Sequence, residues 1–185
     1  MDAIKNLLSR NSINKLVAPH PTPSEMETVY QAALRAPDHA NLKPSSFIEI
    51  TGQGLDKLSN IFLKYATEHV NDLKSEKITK YKNAPYRAPM IIIVISNIVE
   101  HKKVPEIEQI LSTSAATQNI LLALNALNYG AIWRTGIFAL NDDIGSYLDL
   151  NENQKILGYL YVGTPSIAPK KIPDIDINKY ITKWT

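Results

Sequence analysis

Cysteine is absent from this sequence of 185 residues. Its absence excludes disulfide bonds, thiolate nucleophiles and cysteine-ligated zinc or iron–sulfur sites. No stretch of about 18 apolar residues occurs, so no segment is predicted to span a membrane. The first residues also lack the pattern of a signal peptide. The net charge of only +2 gives no support for nucleic-acid binding. We therefore expect a cytoplasmic protein that binds neither membranes nor nucleic acids.

Several motifs of known binding and catalytic sites are also missing. No Gly-x-Gly-x-x-Gly segment follows a predicted strand and no P-loop is present, so a nucleotide cofactor must bind by another route. The four histidines are far apart, with no pair at a spacing of four residues, and we predict no metal site. Ser112, Thr113 and Ser114 lie in a predicted helix without a partnered base, which gives no support for a serine–histidine–aspartate triad.

The hydrophobic pattern predicts a single domain over residues 1–185 with mixed helices and strands. Thr22, Pro23 and Glu25 are typical of a capped helix start, and Gly130 is a natural stop for the long helix before it. Helices are predicted at 2–9, 22–35, 55–70, 76–81, 105–128 and 142–150. Strands are predicted at 46–51, 90–95, 131–134 and 156–162. The strand at 90–95 is apolar on both faces and should be central. Strands and helices do not alternate cleanly, which favours an α+β fold over a doubly wound sheet.

The most informative segment is 35–47, which joins the second predicted helix to the first predicted strand. Pro37 and Pro44 each fix a backbone φ angle and bias the preceding residue away from helix. An aspartate, a histidine, an asparagine and a lysine lie between them. A polar connector with a restricted backbone, held between regular elements, is a common place for a ligand site.

Two other segments combine an arginine with neighbouring polar groups. Residues 10–12, Arg-Asn-Ser, follow the first predicted helix, where a guanidinium and a hydroxyl can bind a phosphate. Trp133, Arg134 and Thr135 end a predicted short strand, where the arginine can pair with a phosphate and the tryptophan can pack on a ligand or in the core. Taken alone, such patterns more often mark a helix C-terminus, or a core tryptophan beside a surface arginine.

In their order and spacing, the three segments resemble the nitroreductase family of FMN enzymes, and in particular its small, single-domain branch of NAD(P)H nitroreductases. The resemblance runs from Arg10 to about residue 165. It implies an α+β, nitroreductase-like fold with a central, mostly antiparallel sheet flanked by helices. It also implies an intertwined homodimer with FMN sites at the subunit interface. Residues 35–39, Arg-Ala-Pro-Asp-His, are similar in that branch, where the arginine and histidine reach flavin bound mainly by the other subunit.

The resemblance implies a set of cofactor-binding residues. For FMN these are Arg10, Asn11, Ser12, Arg35, His39, Trp133, Arg134 and Thr135. For the nicotinamide nucleotide they are Ala123, Leu124, Asn125, Ala126, Leu127 and Asn128, although a helix face of small residues more often packs against another helix. The sequence departs from the family at Lys43-Pro44-Ser45, where Gln-Pro-Trp is usual. This departure either changes the substrate side of the pocket or is a neutral loop replacement.

The implied activity is that of an FMN-dependent oxidoreductase. NAD(P)H passes a hydride to flavin N5, and the reduced flavin then reduces a nitro compound, a quinone or a similar acceptor in ping-pong order. No side chain is assigned as a catalytic acid, base or nucleophile. Two alternatives stay open: a flavin-binding or flavin-processing protein of the same fold without nitroreductase turnover, and a non-enzymatic helical dimerisation module. The charged segment 71–87 is a candidate lid or crossover.

Overall fold

An antiparallel sheet of five strands, with helices on both faces, organises the protein. The computed structural model describes residues 2–139, 141–168 and 170–185, without the side chain of residue 142. The strands are β1 (Leu16–Val17), β2 (Ser45–Thr51), β3 (Met90–Asn97), β4 (Gly130–Arg134) and β5 (Gln154–Pro165). The α-helices are α1 (Ala3–Ser9), α2 (Pro23–Ala33), α3 (Gln53–His69), α4 (Ser75–Lys82) and α5 (Glu106–Ala126). Short 3-10 helices lie at His39–Asn41, Pro85–Arg87, Asp142–Leu148 and Ile177–Lys179.

Strand β3 lies inside the sheet, as the sequence predicts for a strand that is apolar on both faces. It pairs antiparallel with β2 on one side and with β5 on the other. Strand β5 also pairs antiparallel with β4 and, at its end, with β1. Because successive residues of a strand point to opposite faces, the side chains of β3 enter two separate cores.

The two cores lie on opposite faces of the sheet. On one face Ile91 of β3 packs with Phe62 of α3, and on the other Ile92 packs with Val29 of α2 and Leu124 of α5. Each buried side chain of this size contributes roughly 1.5–3 kcal/mol relative to an exposed one. Strand β4 takes part in both cores, so packing on both faces fixes the strand whose end carries part of the predicted site.

Helix α2 begins as the sequence predicts. The side chain of Thr22 accepts a hydrogen bond from the backbone N–H of Glu25, and the Glu25 carboxylate accepts the backbone N–H of Thr22 at 2.8 Å. Pro23 lies in the first turn, where its missing N–H is not needed. The helix ends at Ala33, slightly before the predicted end, so Arg35 belongs to the connector and not to the helix.

The end of α5 differs from the prediction, because Gly130 does not stop the helix. Asn128 takes the left-handed conformation there, with φ of 65°. The N–H of Tyr129 donates to the carbonyl of Leu124 at 2.9 Å, which forms a Schellman ending. Gly130 instead begins β4, where a Cβ atom would lie 2.8 Å from the side chain of Leu16. Its lack of a side chain therefore permits close approach of β1.

Two short elements also differ from the prediction. Residues 142–150 were expected to be α-helical, but they contain a 3-10 helix at Asp142–Leu148. Ile144 and Tyr147 of this segment both pack on the α3-side core, and their spacing of three residues matches the three-residue turn of a 3-10 helix. Strand β1 is a fifth strand where four were predicted, because two residues carry no alternation pattern to detect.

The segment 71–87 contains α4 and the 3-10 helix Pro85–Arg87, in agreement with the short helix predicted at 76–81. Helix α4 packs against α3, on the face of the sheet opposite α2 and α5. Among the residues that the structure describes, no helix is both long and apolar enough to cross a bilayer.

Candidate functional site

A cavity of about 510 Å³ lies at the end of β4. Its walls come from α3, from α4 and the 3-10 helix after it, from β5, and from β4 with the loop that follows. The lining includes three predicted residues, Trp133, Arg134 and Thr135, together with the aromatic side chains of Phe62, Tyr159 and Tyr161. The structure therefore places one of the three predicted segments at a partly open cavity with several aromatic side chains, of a size suited to a small ligand.

The register of β4 against β5 aims Arg134 into this cavity. Ile132 lies opposite Tyr161 and Arg134 lies opposite Tyr159, so these four side chains share one face of the sheet. The guanidinium of Arg134 lies 5.6 Å from the centre of the Tyr161 ring. Its Nε atom is buried and has no hydrogen-bond partner among the described residues. A buried donor of this kind costs roughly 1–3 kcal/mol unless a ligand or water accepts its hydrogen bond.

Trp133 points to the opposite face of β4. Its indole N–H donates to the carbonyl of Leu157 at 3.1 Å, and its ring packs on the core beneath α2 and α5. Gly158 makes room for this ring, since a Cβ atom there would lie 2.1 Å from the indole nitrogen. Trp133 therefore packs in the core, and its contacts hold the backbone that carries Arg134.

Residues 10–12 lie beside β4. The N–H of Ile13 donates to the carbonyl of Ala131 at 3.1 Å. Arg10 comes three residues before Ile13, and Arg134 comes three residues after Ala131. Three residues span at most about 10 Å, which brings Arg10 into the neighbourhood of β4. The side-chain oxygen of Asn11 is buried without a hydrogen-bond partner among the described residues. The chain therefore holds two unpartnered buried polar atoms near β4, one acceptor and one donor.

These two atoms fit the chemistry of FMN. A ribityl chain offers hydroxyl donors to the Asn11 oxygen, and a phosphate or a flavin carbonyl offers an acceptor to the Arg134 Nε. Ser12 is exposed and Arg10 is half-buried at the C-terminal cap of α1, so both are accessible to a ligand. These hydrogen-bonding groups agree with FMN, the cofactor that the sequence resemblance implies.

The connector at residues 35–39 is held in one conformation. The Asp38 carboxylate accepts the backbone N–H groups of Leu42 and Lys43 at 3.1 and 2.7 Å. Non-glycine φ angles of 61°, 55° and 51° follow at Ala40, Asn41 and Lys43. Left-handed non-glycine residues cost of order 1–3 kcal/mol each, and strain of this kind clusters at functional sites. The structure therefore contains the restricted polar connector that the prolines predict.

The connector and residues 10–12 lie at opposite ends of α5. His39 bonds to Glu108 at 2.6 Å, and the Ser112 hydroxyl donates to the carbonyl of Pro37 at 2.7 Å. Helix α1 is instead hydrogen-bonded near the other end of α5, where the Asn6 amide donates to the carbonyl of Leu122 at 3.0 Å. Ten residues separate Ser112 from Leu122, which is roughly 15 Å along a helix. Within one chain, the connector and α1 are therefore attached to separate parts of α5.

The lining of the cavity also contains cationic residues that sequence reasoning did not select, Lys80 of α4 and Arg87 of the following 3-10 helix. Burial raises the pKa of the Tyr161 phenol, while the positive charges of Arg87 and Arg134 lower it. Burial also raises the pKa of Tyr159, whose hydroxyl donates to the carbonyl of Phe138 at 2.6 Å. Both tyrosines are therefore neutral hydroxyl groups at ordinary pH. The sequence signal for Lys80 and Arg87 was only the charge of segment 71–87.

Comparison with known proteins identifies the family. The family model described as "Nitroreductase family" matches residues 7–164, a range that contains all three predicted segments. The chain belongs to the nitroreductase family. It is 36% identical over 177 residues to "Putative NAD(P)H nitroreductase YdjA" of Escherichia coli strain K12, with 94% of this chain and 96% of that protein covered. The protein is therefore an enzyme, an oxidoreductase of the nitroreductase family, and not a purely helical dimerisation module.

Solved structures share the fold of this nitroreductase. A nitroreductase-like family protein from Bacillus cereus has a TM-score of 0.87 at 19% identity, covering 100% of this chain and 96% of that one. A mutant of the FMN and NADPH-dependent nitroreductase NfnB, from sphigopyxis sp. strain HMH, has a TM-score of 0.80 at 15% identity, with both chains covered at 100%. At these identities the likeness shows the fold alone, and the predicted nitroreductase-like α+β fold is confirmed.

The helix segment predicted for nicotinamide binding serves packing within the nitroreductase chain. Leu124 is buried, and the Asn125 amide donates to the side chain of Asn6 at 2.7 Å. A second cavity, of about 380 Å³, lies here, and Asn11, Asn125 and Asn128 line it. The segment thus lies close to residues 10–12, and its role in nucleotide binding stays a prediction.

The departure from the family at Lys43-Pro44-Ser45 has a visible structural consequence. The Ser45 hydroxyl donates to Thr113 of α5 at 3.3 Å, and the Pro44 carbonyl accepts the backbone N–H of Asn97 at 2.7 Å. Ser45 therefore ties the start of β2 to α5. Lys43 is exposed beside Arg35 and Asp38.

Proposed function

We propose that this nitroreductase is an FMN-dependent enzyme that takes a hydride from NAD(P)H and passes electrons to a nitro compound, a quinone or a similar acceptor in ping-pong order. The observation that carries the proposal is the pair of unpartnered buried atoms, Asn11 Oδ1 and Arg134 Nε, on two neighbouring segments. Bound FMN would supply the hydride-accepting chemistry at N5. The names of the similar proteins, which mention NAD(P)H and, for NfnB, FMN and NADPH, support the same cofactors.

In this proposal the protein's side chains bind FMN and orient it. Arg10, Ser12 and Arg134 bind the phosphate and ribityl chain, and Thr135 holds the polar edge of the flavin. The aromatic walls of the cavity exclude water from this edge. No side chain is required to form a covalent bond with substrate.

We infer further that the active unit is an intertwined homodimer with FMN sites at the interface. Large apolar side chains are exposed on α1, at the end of α2, on α5 and along residues 170–185. They include Ile4, Leu7, Leu8, Leu34, Ile107, Leu111, Ile172, Ile175, Ile177, Tyr180, Ile181 and Trp184. An exposed apolar surface of this extent is typical of an interaction site.

Two-fold symmetry also explains the arrangement of the site along α5. If the α5 helices of two chains pair in antiparallel fashion, the end that carries the His39 connector of one protomer meets the end that carries residues 10–12 of its partner. Each site then has Arg10 and Arg134 from one chain and Arg35 and His39 from the other. We also propose a cytoplasmic location, for which the absence of cysteine is the sequence support.

The first experiment is the visible absorption spectrum of the purified, untagged protein. We expect the two flavin bands, release of FMN on denaturation, and bleaching of the bands by NADH or NADPH without oxygen. FMN at about 100 times its dissociation constant should stabilise the protein by roughly 2.7 kcal/mol. A colourless protein whose melting temperature FMN does not raise contradicts the cofactor assignment. Bound FMN that neither nucleotide reduces contradicts the oxidoreductase mechanism.

Arginine variants test the named residues. Arg10→Ala and Arg134→Ala should each weaken FMN binding about tenfold or more, because each removes charge-assisted hydrogen bonds worth roughly 1.5–3 kcal/mol. The dissociation constant is measured by quenching of flavin fluorescence, and sedimentation checks that the dimer persists. Lys77→Ala is the control, since Lys77 is an exposed cation of α4 that does not line the cavity. Unchanged FMN affinity in both arginine variants would remove the phosphate-binding role.

A flavin-binding protein without nitroreductase turnover is the second candidate, and Ser45 in place of the family tryptophan is the observation that favours it. Steady-state turnover of NADPH with a nitroaromatic acceptor separates the two. Turnover supports the enzyme proposed here. Reduction of bound flavin by the nucleotide, with no electron transfer to any nitro compound or quinone, supports the second candidate.

A further inference from the structure

Three cationic side chains line the β4 cavity, and they come from three separate elements. Lys80 belongs to α4, Arg87 to the 3-10 helix that follows, and Arg134 to β4. No aspartate or glutamate with a described side chain lines the cavity. None of the three cations is in a salt bridge in the described part of the chain, whereas Lys155 pairs with Glu106 elsewhere at 2.6 Å.

Two of these cations share the cavity with one buried hydroxyl. Arg87, Arg134 and Tyr161 all line it, and the Arg134 guanidinium lies over the Tyr161 ring. The positive charges of Arg87 and Arg134 both lower the pKa of the Tyr161 phenol. An anion bound in the cavity is attracted by each of these charges. The Arg134 Nε is in addition a buried donor without an acceptor among the described groups. The chain therefore presents positive charge here that nothing in its own described residues neutralises.

The wall beside these cations is aromatic. Phe62 and Phe138 stack with ring centres 3.9 Å apart, and the rings of Tyr81 and Phe138 meet edge to face with their centres 5.2 Å apart. The Tyr159 hydroxyl donates to the Phe138 carbonyl and holds that backbone in place. Packed rings of this kind form a fixed apolar wall against which an aromatic ring can pack. Cations and an aromatic wall in one cavity together match a ligand that has both an oxyanion and an aromatic ring.

We propose that Lys80 and Arg87, together with Arg134, form an anion-binding site that holds the phosphate or carboxylate of a planar aromatic ligand in the β4 cavity. The inference deepens the proposed function and rests on it for the identity of the ligand. Two ligands have the required chemistry: FMN, through its phosphate, and an aromatic electron acceptor that carries a carboxylate. The segment 71–87 then contributes binding groups to the site and does not merely cover it.

Calorimetric titration of matched ligands on matched variants tests the inference. The variants are Arg87→Gln, which removes the charge at similar length, Arg87→Lys, which restores it, and Lys77→Ala as the control on α4. FMN is compared with riboflavin, which lacks the phosphate, on protein stripped of flavin. 4-Nitrobenzoate is compared with the neutral 4-nitrobenzamide on FMN-loaded protein and on stripped protein.

We expect Arg87→Gln to weaken the anionic member of one pair about tenfold and to leave its neutral partner unchanged. Loss confined to FMN identifies the flavin phosphate as the ligand, and loss confined to 4-nitrobenzoate identifies an acidic acceptor. In either case Arg87→Lys should recover most of the affinity, and added salt should weaken the anion more than the neutral analogue. Lys80→Gln should act in the same direction.

Equal affinity of wild type and Arg87→Gln for all four ligands overturns the proposal. So does an equal loss for anionic and neutral ligands with a lowered melting temperature, since that result shows a structural role. Failure of the proposed function is a separate result, because it appears as wild-type protein that binds neither FMN nor riboflavin. Charge-selective binding of 4-nitrobenzoate to the cavity is then still measured on that same protein.

Discussion

Asn11 Oδ1 and Arg134 Nε are buried without partners among the described residues, and both belong to segments selected from the sequence alone. The third such atom, Tyr65 Oη, lies in the aromatic cluster beneath α3. Unsatisfied buried groups are rare in folded proteins, so two of them beside one strand point to a ligand that supplies the missing hydrogen bonds.

Gly158 is a second residue whose identity the structure fixes. Its φ angle is 147°, and a Cβ atom would lie 2.1 Å from the indole nitrogen of Trp133 and 2.8 Å from the Arg134 carbonyl oxygen. Gly158→Ala should therefore lower the free energy of unfolding by roughly 2–4 kcal/mol, through overpacking and backbone strain. Urea unfolding followed by circular dichroism measures this change.

Gly145→Ala is the matched control for that substitution. A Cβ atom at this position would have the Cβ of Leu150 as its nearest neighbour at 3.6 Å, an ordinary contact, and the φ angle of Gly145 is not left-handed. Little change, or a small stabilisation, is expected at this position. If Gly158→Ala is as stable as Gly145→Ala, then Trp133 does not pack on β5 as described.

At the scale of elements, the long and strongly patterned segments were predictable and the short ones were not. The apolar run of β3 and the long pattern of α5 each specify one element without help from the rest of the chain. The capping box of α2 is equally local. Strand β1 has only two residues, and the 3-10 helix Asp142–Leu148 is selected by packing on the α3-side core, so both depend on tertiary contacts.

The capping box of α2 predicts a pH dependence of stability. The backbone N–H and the hydroxyl of Thr22 hold the pKa of Glu25 below its usual value. A carboxyl group with a lowered folded-state pKa stabilises the protein above its unfolded-state pKa, roughly pH 4.3, and this stabilisation is lost as pH falls through the folded-state value. Glu25→Gln should therefore be less stable than wild type at pH 7, and this difference should shrink as the pH falls toward 3.

Thermal unfolding from pH 3 to pH 7 tests this expectation. Glu27→Gln is the control, because it removes the same charge from the same helix while its described hydrogen bond is to the side chain of Gln31. The stability difference between wild type and Glu27→Gln should change less with pH. A Glu25→Gln difference that stays constant over the whole range contradicts the capping contribution.

At the scale of the whole molecule, the sequence selected candidate site residues but did not show how distant segments come together. Residues 10–12 lie beside β4, since the N–H of Ile13 donates to the carbonyl of Ala131, and residues 133–135 stand at the other end of that strand. No sequence pattern showed that Lys80 and Arg87 would face Arg134, because that encounter depends on how α4 packs on α3. Charge alone does not reveal which exposed cations converge.

The proposed dimer predicts a change in assembly. Ile107 and Leu111 are exposed by 57% and 58% and lie one helical turn apart on α5. Leu111→Glu should weaken dimerisation at least a hundredfold, because it replaces roughly 1.5–3 kcal/mol of apolar burial by a charge that must be desolvated. Analytical ultracentrifugation at micromolar concentration measures the shift, and FMN should dissociate along with the dimer.

Ile78→Glu controls for a new charge at an exposed apolar position. Ile78 lies on α4, on the face of the sheet opposite α5, so this variant should stay dimeric. A wild-type protein that sediments as a monomer with full FMN content would overturn the shared site, and dissociation of both variants alike would show a non-specific effect of charge.

The His39 connector is hydrogen-bonded near one end of α5, and α1 is hydrogen-bonded near the other. In the proposed dimer, this arrangement has a genetic consequence. In a two-fold dimer, each chain gives its two halves to different sites. A chain damaged at Arg10 and a chain damaged at His39 are each defective when paired with themselves. Paired with each other, they combine both lesions in one site and leave the second site with four intact contributions. About half of randomly paired dimers are mixed, and each mixed dimer has one intact site out of two. Co-expression of the two inactive alleles should therefore restore about a quarter of the wild-type activity. This result would be intragenic complementation.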